Sequence, residues 1–348
     1  MTGDAFALAG LGGFNAHGAG FLAAARDHAV TPDLITATSG QILVVADWLQ
    51  GADLKTSLVD PLLARDPLAQ LATVIFGDKG IFKPAYQQAF ERLWSPPPAK
   101  RSLFDDLADR LLPAQAYVTT RTAAFFEETA AALNAPQSFG GPQIGVVFNT
   151  YEPRTGEGRL YGNDRARELL TKATSLPPLK APADGTKLQA APEAPVLPIT
   201  AEALRSALWL SLYGFEGMPG GQMDGAYLRS CIVSELHDFD RLFIARPLAQ
   251  GWRKPDQPRN WFEVQDWQCE MWFSVAYKAE LDALMRINQL IEQGYLQSTD
   301  FKRVEVHEIE PETPAGYFHY FVERDSVFDA ARAQASALFT SLGMPKVG

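Results

Sequence analysis

The first fifty residues restrict the fold more than any other part of the chain. Phe6-Ala7-Leu8-Ala9 is a short apolar run of strand character, and it passes into Gly10-Leu11-Gly12-Gly13, a stretch that breaks regular structure. Residues 16–28 follow with Phe21, Leu22 and Ala25 at helical spacing. Thr31-Pro32-Asp33 reads as a turn, and Leu34-Ile35-Thr36-Ala37-Thr38 is β-branched and apolar, as a buried strand requires. Ser39-Gly40 ends that strand, and residues 41–49 return to helix. Two strands joined through a helix imply a parallel pair. The expectation is an α/β protein: a three-layer α/β/α fold with a mixed, mostly parallel central sheet.

Further along, residues 52–134 are mainly helical in pattern, interrupted at Pro96-Pro97-Pro98. Ile144 to Thr150 returns to strand character, and Arg154-Thr155-Gly156-Glu157-Gly158 predicts a turn from which Arg159-Leu160-Tyr161 pairs back as a hairpin. Residues 174–198 are rich in Pro, Ala and Lys and read as a surface loop or insertion. Residues 201–212 predict a helix capped by Thr200, with Leu204, Ala207, Leu208 and Leu212 on one face. Residues 242–245 and 304–309 read as strands, 261–291 and 326–342 as helices. Residues 1–245 are expected to form the main α/β domain, and 246–348 a C-terminal, largely helical extension packed on it.

Charge narrows the function. The formal net charge of −10 argues against a broad nucleic-acid surface, which needs clustered Lys and Arg. The start, Met1-Thr2-Gly3-Asp4-Ala5, lacks the positive region of a signal peptide, and no apolar run reaches the length of a membrane span. The two cysteines, Cys231 and Cys269, form no metal or redox spacing. The expectation is a cytoplasmic protein, with peripheral membrane contact open.

The chemistry-bearing residues lie in the turns after the first two strands, the edge where open α/β sheets gather ligands. Backbone N–H groups of Gly12 and Gly13 at a helix start suit a developing oxyanion. Ser39 sits in a strand-to-helix turn beside Gly40, and such a turn exposes a serine hydroxyl. Serine needs a base, and Asp224, in Gly220-Gly221-Gln222-Met223-Asp224-Gly225-Ala226, reads as an exposed carboxylate on a turn. Dinucleotide spacing would want Gly at 10, 12 and 15, but position 15 is Asn, and no Walker-type Gly-Lys-Ser/Thr occurs.

These segments resemble the patatin-like phospholipase family. Leu8-Ala9-Gly10-Leu11-Gly12-Gly13-Phe14-Asn15-Ala16-His17-Gly18-Ala19-Gly20 is similar to the family's opening Gly-rich segment, and Pro32-Asp33-Leu34-Ile35-Thr36-Ala37-Thr38-Ser39-Gly40 to the approach to its nucleophile. Asp224-Gly225-Ala226 is similar to its Asp-Gly-Gly/Ala motif, and Val147 to Tyr161 to its middle strands. The resemblance spans roughly residues 5–245. It implies a patatin-like fold and a serine acyl hydrolase acting on lipid or phospholipid esters. Ser39 would be the nucleophile, Asp224 its direct base, and Gly12 and Gly13 the oxyanion donors, with Gly10 shaping the turn. No cofactor or metal is implied. Four positions depart from the family pattern: Ala37 stands for the first Gly of Gly-x-Ser-x-Gly and Gln41 for the second, Phe14 for an Arg, and Asn15 for a Gly. Gln41 and Phe14 favour an alternative, a catalytically weak lipid-binding or interaction protein of the same fold.

Other residues have blander readings. None of the five histidines shows metal spacing. His17, beside the glycine turn, is read as a packing residue, with a Ser-His-Asp triad as the variant. Trp252, Trp261, Trp267 and Trp272, with Phe262 and Phe273, are read first as packing the C-terminal helix onto the core, and second as an acyl pocket or lipid contact. Glu308, Glu310 and Glu312 read as a solvated stretch, and Lys180 and Lys187 as solvated loop lysines.

Overall fold

The computed structural model describes residues 3–10, 15–59, 82–85, 90–91, 115, 117–173, 195–246, 257–259, 261–296, 301–310 and 324–347. Ten strands lie among them: β1 (Asp4–Leu8), β2 (Leu34–Ala37), β3 (Phe82–Pro84), β4 (Tyr117–Thr119), β5 (Gly145–Glu152), β6 (Glu157–Gly162), β7 (Leu197–Pro198), β8 (Met223–Asp224), β9 (Arg241–Ala245) and β10 (Glu305–Ile309). The α-helices are α1 (Asn15–Asp27), α2 (Gln41–Leu49), α3 (Ala123–Asn134), α4 (Asp164–Ala173), α5 (Ala201–Ala207), α6 (Trp261–Glu292) and α7 (Arg324–Ser341).

Eight strands make one sheet in the order β10-β9-β1-β2-β5-β6-β7, with β8 paired to β5 off that path. The strands from β10 to β5 run parallel, and β6 and β8 run antiparallel to β5. Strand alternation splits the core in two. Phe6 and Leu8 face the side covered by α1, α2, α3, α5 and α7. Ala5 and Ala7 face the side covered by α4 and α6. Helices on both faces of a mixed, mostly parallel sheet make a three-layer α/β/α arrangement. Residues beyond 246 supply the edge strand β10 and one helix to each face.

Under α1 the core is aromatic. Phe6 meets Phe21 edge-on at 4.8 Å between centroids, and Phe243 meets Phe339 at 5.4 Å. Small residues let α1 approach its neighbours at backbone distance. A Cβ added at Gly20 would lie 2.2 Å from the Phe328 carbonyl oxygen of α7 and 3.0 Å from the Ala331 Cβ. One added at Gly18 would lie 2.0 Å from Gln41 Oε1 on α2.

The hairpin expected at 147–161 is β5–β6, turned at Gly156 with φ +79°. Thr200 caps α5 by accepting from the Ala203 N–H at 3.1 Å. That helix, expected to reach residue 212, ends at Ala207. The Trp209 carbonyl accepts from the Asp224 N–H at 3.1 Å instead of continuing the helix, and Leu212 is exposed. Glu308 and Glu310 are not a solvated stretch: Tyr277 donates to Glu308, and Glu310 pairs at 2.5 Å with Arg246, a guanidinium buried at the end of β9. A buried cation requires such partners. Pro96-Pro97-Pro98, most of the 174–198 loop with Lys180 and Lys187, Trp252, Glu312 and His319 lie outside the described residues. No helix among those described is long and apolar enough to cross a membrane.

Gly20→Ala tests the α1–α7 contact. Alanine is the better helix former by about 1 kcal/mol, yet its methyl would press on α7 backbone, and overpacking costs roughly 1–3 kcal/mol. The urea midpoint should therefore fall. An unchanged or higher midpoint would mean that the helices do not pack at backbone distance.

Candidate active site

β1 and β2 end side by side, and their exits touch. A Cβ on Gly10 would lie 1.9 Å from the Thr38 carbonyl oxygen and 2.9 Å from Ser39 Cβ. Only a residue without a side chain fits there. The Gly10 N–H is already committed, donating to the Ser230 carbonyl at 2.9 Å. Gly10 therefore supplies room for the turn and not a free donor for an oxyanion. Gly12 and Gly13, the donors expected from sequence, lie outside the described residues, as does Phe14.

Ser39 turns the chain from β2 into α2 with φ +56°. This left-handed conformation costs an L-residue roughly 1–2 kcal/mol, and it swings the side chain out of the strand. Gly40 resumes right-handed helical geometry as the N-cap of α2, and the Ser39 carbonyl accepts from the Ile42 N–H at 3.1 Å. Gln41 is fully buried against Gly18, so the larger residue two positions after the serine is accommodated by a missing side chain on α1. Asn15, the first residue of α1, lies against Gly40.

Asp224 is not on an exposed turn, as its Gly-rich surroundings suggest, but on the short strand β8, opposite Thr150 of β5. It is 2% exposed and Ser39 is 3% exposed. The Ser39 hydroxyl donates to Asp224 Oδ2, across 185 residues of chain. The other carboxylate oxygen, Oδ1, accepts from the Ala226 N–H at 2.9 Å. Burial pushes the Asp224 carboxyl up from its ordinary 3.8 to about 7, against the smaller opposing effect of these two hydrogen bonds. A serine hydroxyl bonded to a carboxylate that titrates near neutrality has the geometry and the proton affinity that a nucleophile–base pair requires.

Several supports carry no recognisable sequence signal. The Asn149 side chain packs on Gly225, where an added Cβ would lie 2.3 Å from its Cγ, and its Nδ2 donates to the Arg229 carbonyl at 2.9 Å. The Arg229 guanidinium bridges Glu235 at 2.6 Å and Glu280 of α6 at 2.5 Å, tying the segment after Asp224 to the C-terminal helix. His17 is buried on α1, and its Nε2 meets the Ile309 carbonyl of β10 at 3.0 Å, three strands away from β2. Burial holds that imidazole down near pKa 4, in its neutral form. This is a packing histidine.

Trp267 and Trp272 do not pack into the core as expected. Trp272 is 63% exposed, with Met271 and Val275 exposed beside it on α6. Trp272 also lies 6.5 Å from the ring of Tyr227, three residues after Asp224. The side chains of Trp261, Phe262 and Cys269 are outside those described. At the opposite, amino-terminal edge of the sheet, a cleft of about 580 Å³ is lined by Asp4, Asp33, Asp240, Arg241 and Glu305. It is remote from the dyad, and its Arg241 is already paired with Asp4 at 2.7 Å. Among the described residues no group of His, Cys, Asp and Glu is arranged to hold a metal ion.

No protein-family model matches this chain, and no curated protein matches it by sequence.

Two stability measurements test this geometry. Ser39→Gly should be more stable than Ser39→Ala by about 1 kcal/mol, because both lose the hydroxyl but only glycine tolerates positive φ without strain; equal stabilities would argue against a left-handed Ser39. The second concerns pH. Between about pH 4 and 7 the folded chain keeps a proton on Asp224 that the unfolded chain has lost. This contribution to stability is therefore full at low pH and lost as pH rises towards 7. Asp224→Asn lacks it, so the variant should gain stability relative to wild type from pH 4 to 8. Parallel curves would mean an Asp224 with an ordinary pKa.

Proposed function

We propose that this protein is a serine acyl hydrolase that cleaves acyl esters of lipids or phospholipids through Ser39 and Asp224, in the manner of the patatin-like phospholipases. One observation carries the reading: a buried Ser39 hydroxyl, presented on a strained strand-to-helix turn, donates to a buried carboxylate whose proton affinity is raised to near neutrality. Asp224 takes the hydroxyl proton as Ser39 attacks the ester carbonyl, then returns it to the leaving alcohol. Water, activated by the same carboxylate, releases the acyl group. By resemblance, the N–H groups of Gly12 and Gly13 hold the oxyanion. A site shielded from bulk water strengthens each of these contacts.

The substrate class rests on the surface beside the dyad. Trp267, Met271, Trp272 and Val275 expose apolar area on α6, and Trp272 approaches the segment that carries Asp224. Lipid is the substrate that such a surface accommodates, since aromatic side chains favour the boundary of head groups and acyl chains. Peripheral contact with a membrane belongs to the same proposal. The substitution of Gln41 is compatible with turnover because Gly18 makes room for it.

A fluorophosphonate probe should label the wild type at Ser39 and leave Ser39→Ala unlabelled. Turnover of nitrophenyl esters should vanish in the same variant, and kcat/KM should rise with pH, with its midpoint near 7, as Asp224 ionises. A wild type that is neither labelled nor faster than Ser39→Ala over several acyl lengths would favour the alternative, a lipid-binding module without catalysis.

A further inference from the structure

We propose that Asn15 is a further catalytic residue, its side-chain amide donating a hydrogen bond to the oxyanion formed on the substrate of Ser39. The inference rests on the hydrolase reading above, and three observations lead to it. The Asn15 carboxamide lies flush against the residue after the nucleophile: a Cβ added at Gly40 would meet its Oδ1 at 2.3 Å, its Nδ2 at 2.6 Å and its Cγ at 2.9 Å. All three amide atoms thus fill the space that a side chain at position 40 would occupy, so the glycine there and the amide belong together. The Asn15 Oδ1 is buried and has no hydrogen-bond partner among the described residues. A buried amide oxygen left unpaired costs stability, and an apolar residue of similar size would fill the same space without that cost. Finally, the Gly10 N–H, a backbone donor beside the serine turn, is spent on the Ser230 carbonyl.

The chemistry follows from these positions. As the bond forms between Ser39 Oγ and the carbonyl carbon, the hydroxyl proton passes to Asp224 and the carbonyl π pair moves onto oxygen. That oxygen becomes an anion and needs donors fixed in advance. A primary amide has two N–H groups, and rotation about its last side-chain bond exchanges the buried O for N without moving the backbone. When the intermediate collapses, the bond to the leaving alkoxide breaks, and the alkoxide takes the proton back from Asp224. Asn15 donates throughout and is unchanged at the end.

Asn15→Leu and Asn15→Asp test the proposal, since both keep roughly the volume of the amide and neither, at neutral pH, can donate. Each should lower kcat on a short-chain nitrophenyl ester by about 10²–10³-fold with KM changed by less than about threefold, the loss usual for one oxyanion donor. A boronic acid, which adds to Ser39 as a tetrahedral anion, should bind Asn15→Leu more weakly by a similar factor, while the carboxylic acid product binds unchanged. The melting temperature of Asn15→Leu should equal or exceed that of wild type, because an unpaired buried polar group is gone. Variants that keep kcat within threefold of wild type overturn the proposal. So does a lower melting temperature combined with equal weakening of the boronate and the product, which is the pattern of a structural residue. A wild type that is neither acylated nor active overturns both this proposal and the hydrolase reading, whereas active wild type and active variants together overturn this one alone.

Discussion

Where β1 and β2 end, two backbones touch with no side chain between them. Gly10 lies so close to the Thr38 carbonyl that a single methyl group would part them. The contact sets the height at which β2 stops and Ser39 bends the chain into α2. A left-handed serine is strained, and such strain persists only where the surroundings over-determine it. Here the surroundings are close packing at three glycines: Gly10 against the Thr38 carbonyl, Gly40 against the Asn15 side chain, and Gly18 against the Gln41 side chain. The α1 helix lies across the sheet at the distance these glycines allow, and its other face meets α7 on the same terms at Gly20. The position of the serine hydroxyl is thus a consequence of close packing, which is hard to deform.

The carboxylate arrives by a separate route. Asp224 belongs to a two-residue strand, and so short a strand has little stability of its own. It is held by Thr150 across β5, by the Trp209 carbonyl, and by the Asn149 side chain packed on Gly225. This support places an anion-forming group in a nearly water-free position, where desolvation dominates its two hydrogen bonds. The resulting proton affinity suits a base that works without an intervening histidine. His17, the histidine nearest in sequence to the glycine turn, is turned the other way and held neutral at the end of β10.

The C-terminal hundred residues are part of the same frame. The strand β10 extends the parallel sheet beyond β9, and α6 and α7 cover opposite faces. Glu280 of α6 reaches the Arg229 guanidinium five residues after Asp224, so the helix that carries exposed Trp272 also braces the segment that carries Asp224. The exposed apolar face of α6 and the support of the carboxylate are therefore mechanically one unit.

Much of this was legible along the chain. Local signals, such as apolar runs, glycines at turns and a capping Thr200, place β1, α1, β2, α2 and the β5–β6 hairpin within a residue or two, because each depends on neighbours a few residues away. The Ser-Gly turn and the Asp-Gly pair could be picked out for the same reason. The sequence by itself singled out Ser39 and Asp224 and determined that a parallel α/β sheet would carry the serine at its carboxyl edge. Only the tertiary structure decided that Asp224 is buried and not exposed, that α5 stops at Ala207 so that Trp209 can hold β8, and that Glu310 neutralises a buried Arg246 and is not left in water. Those outcomes depend on desolvation and on contacts between segments far apart in the chain, and neither is written in local spacing.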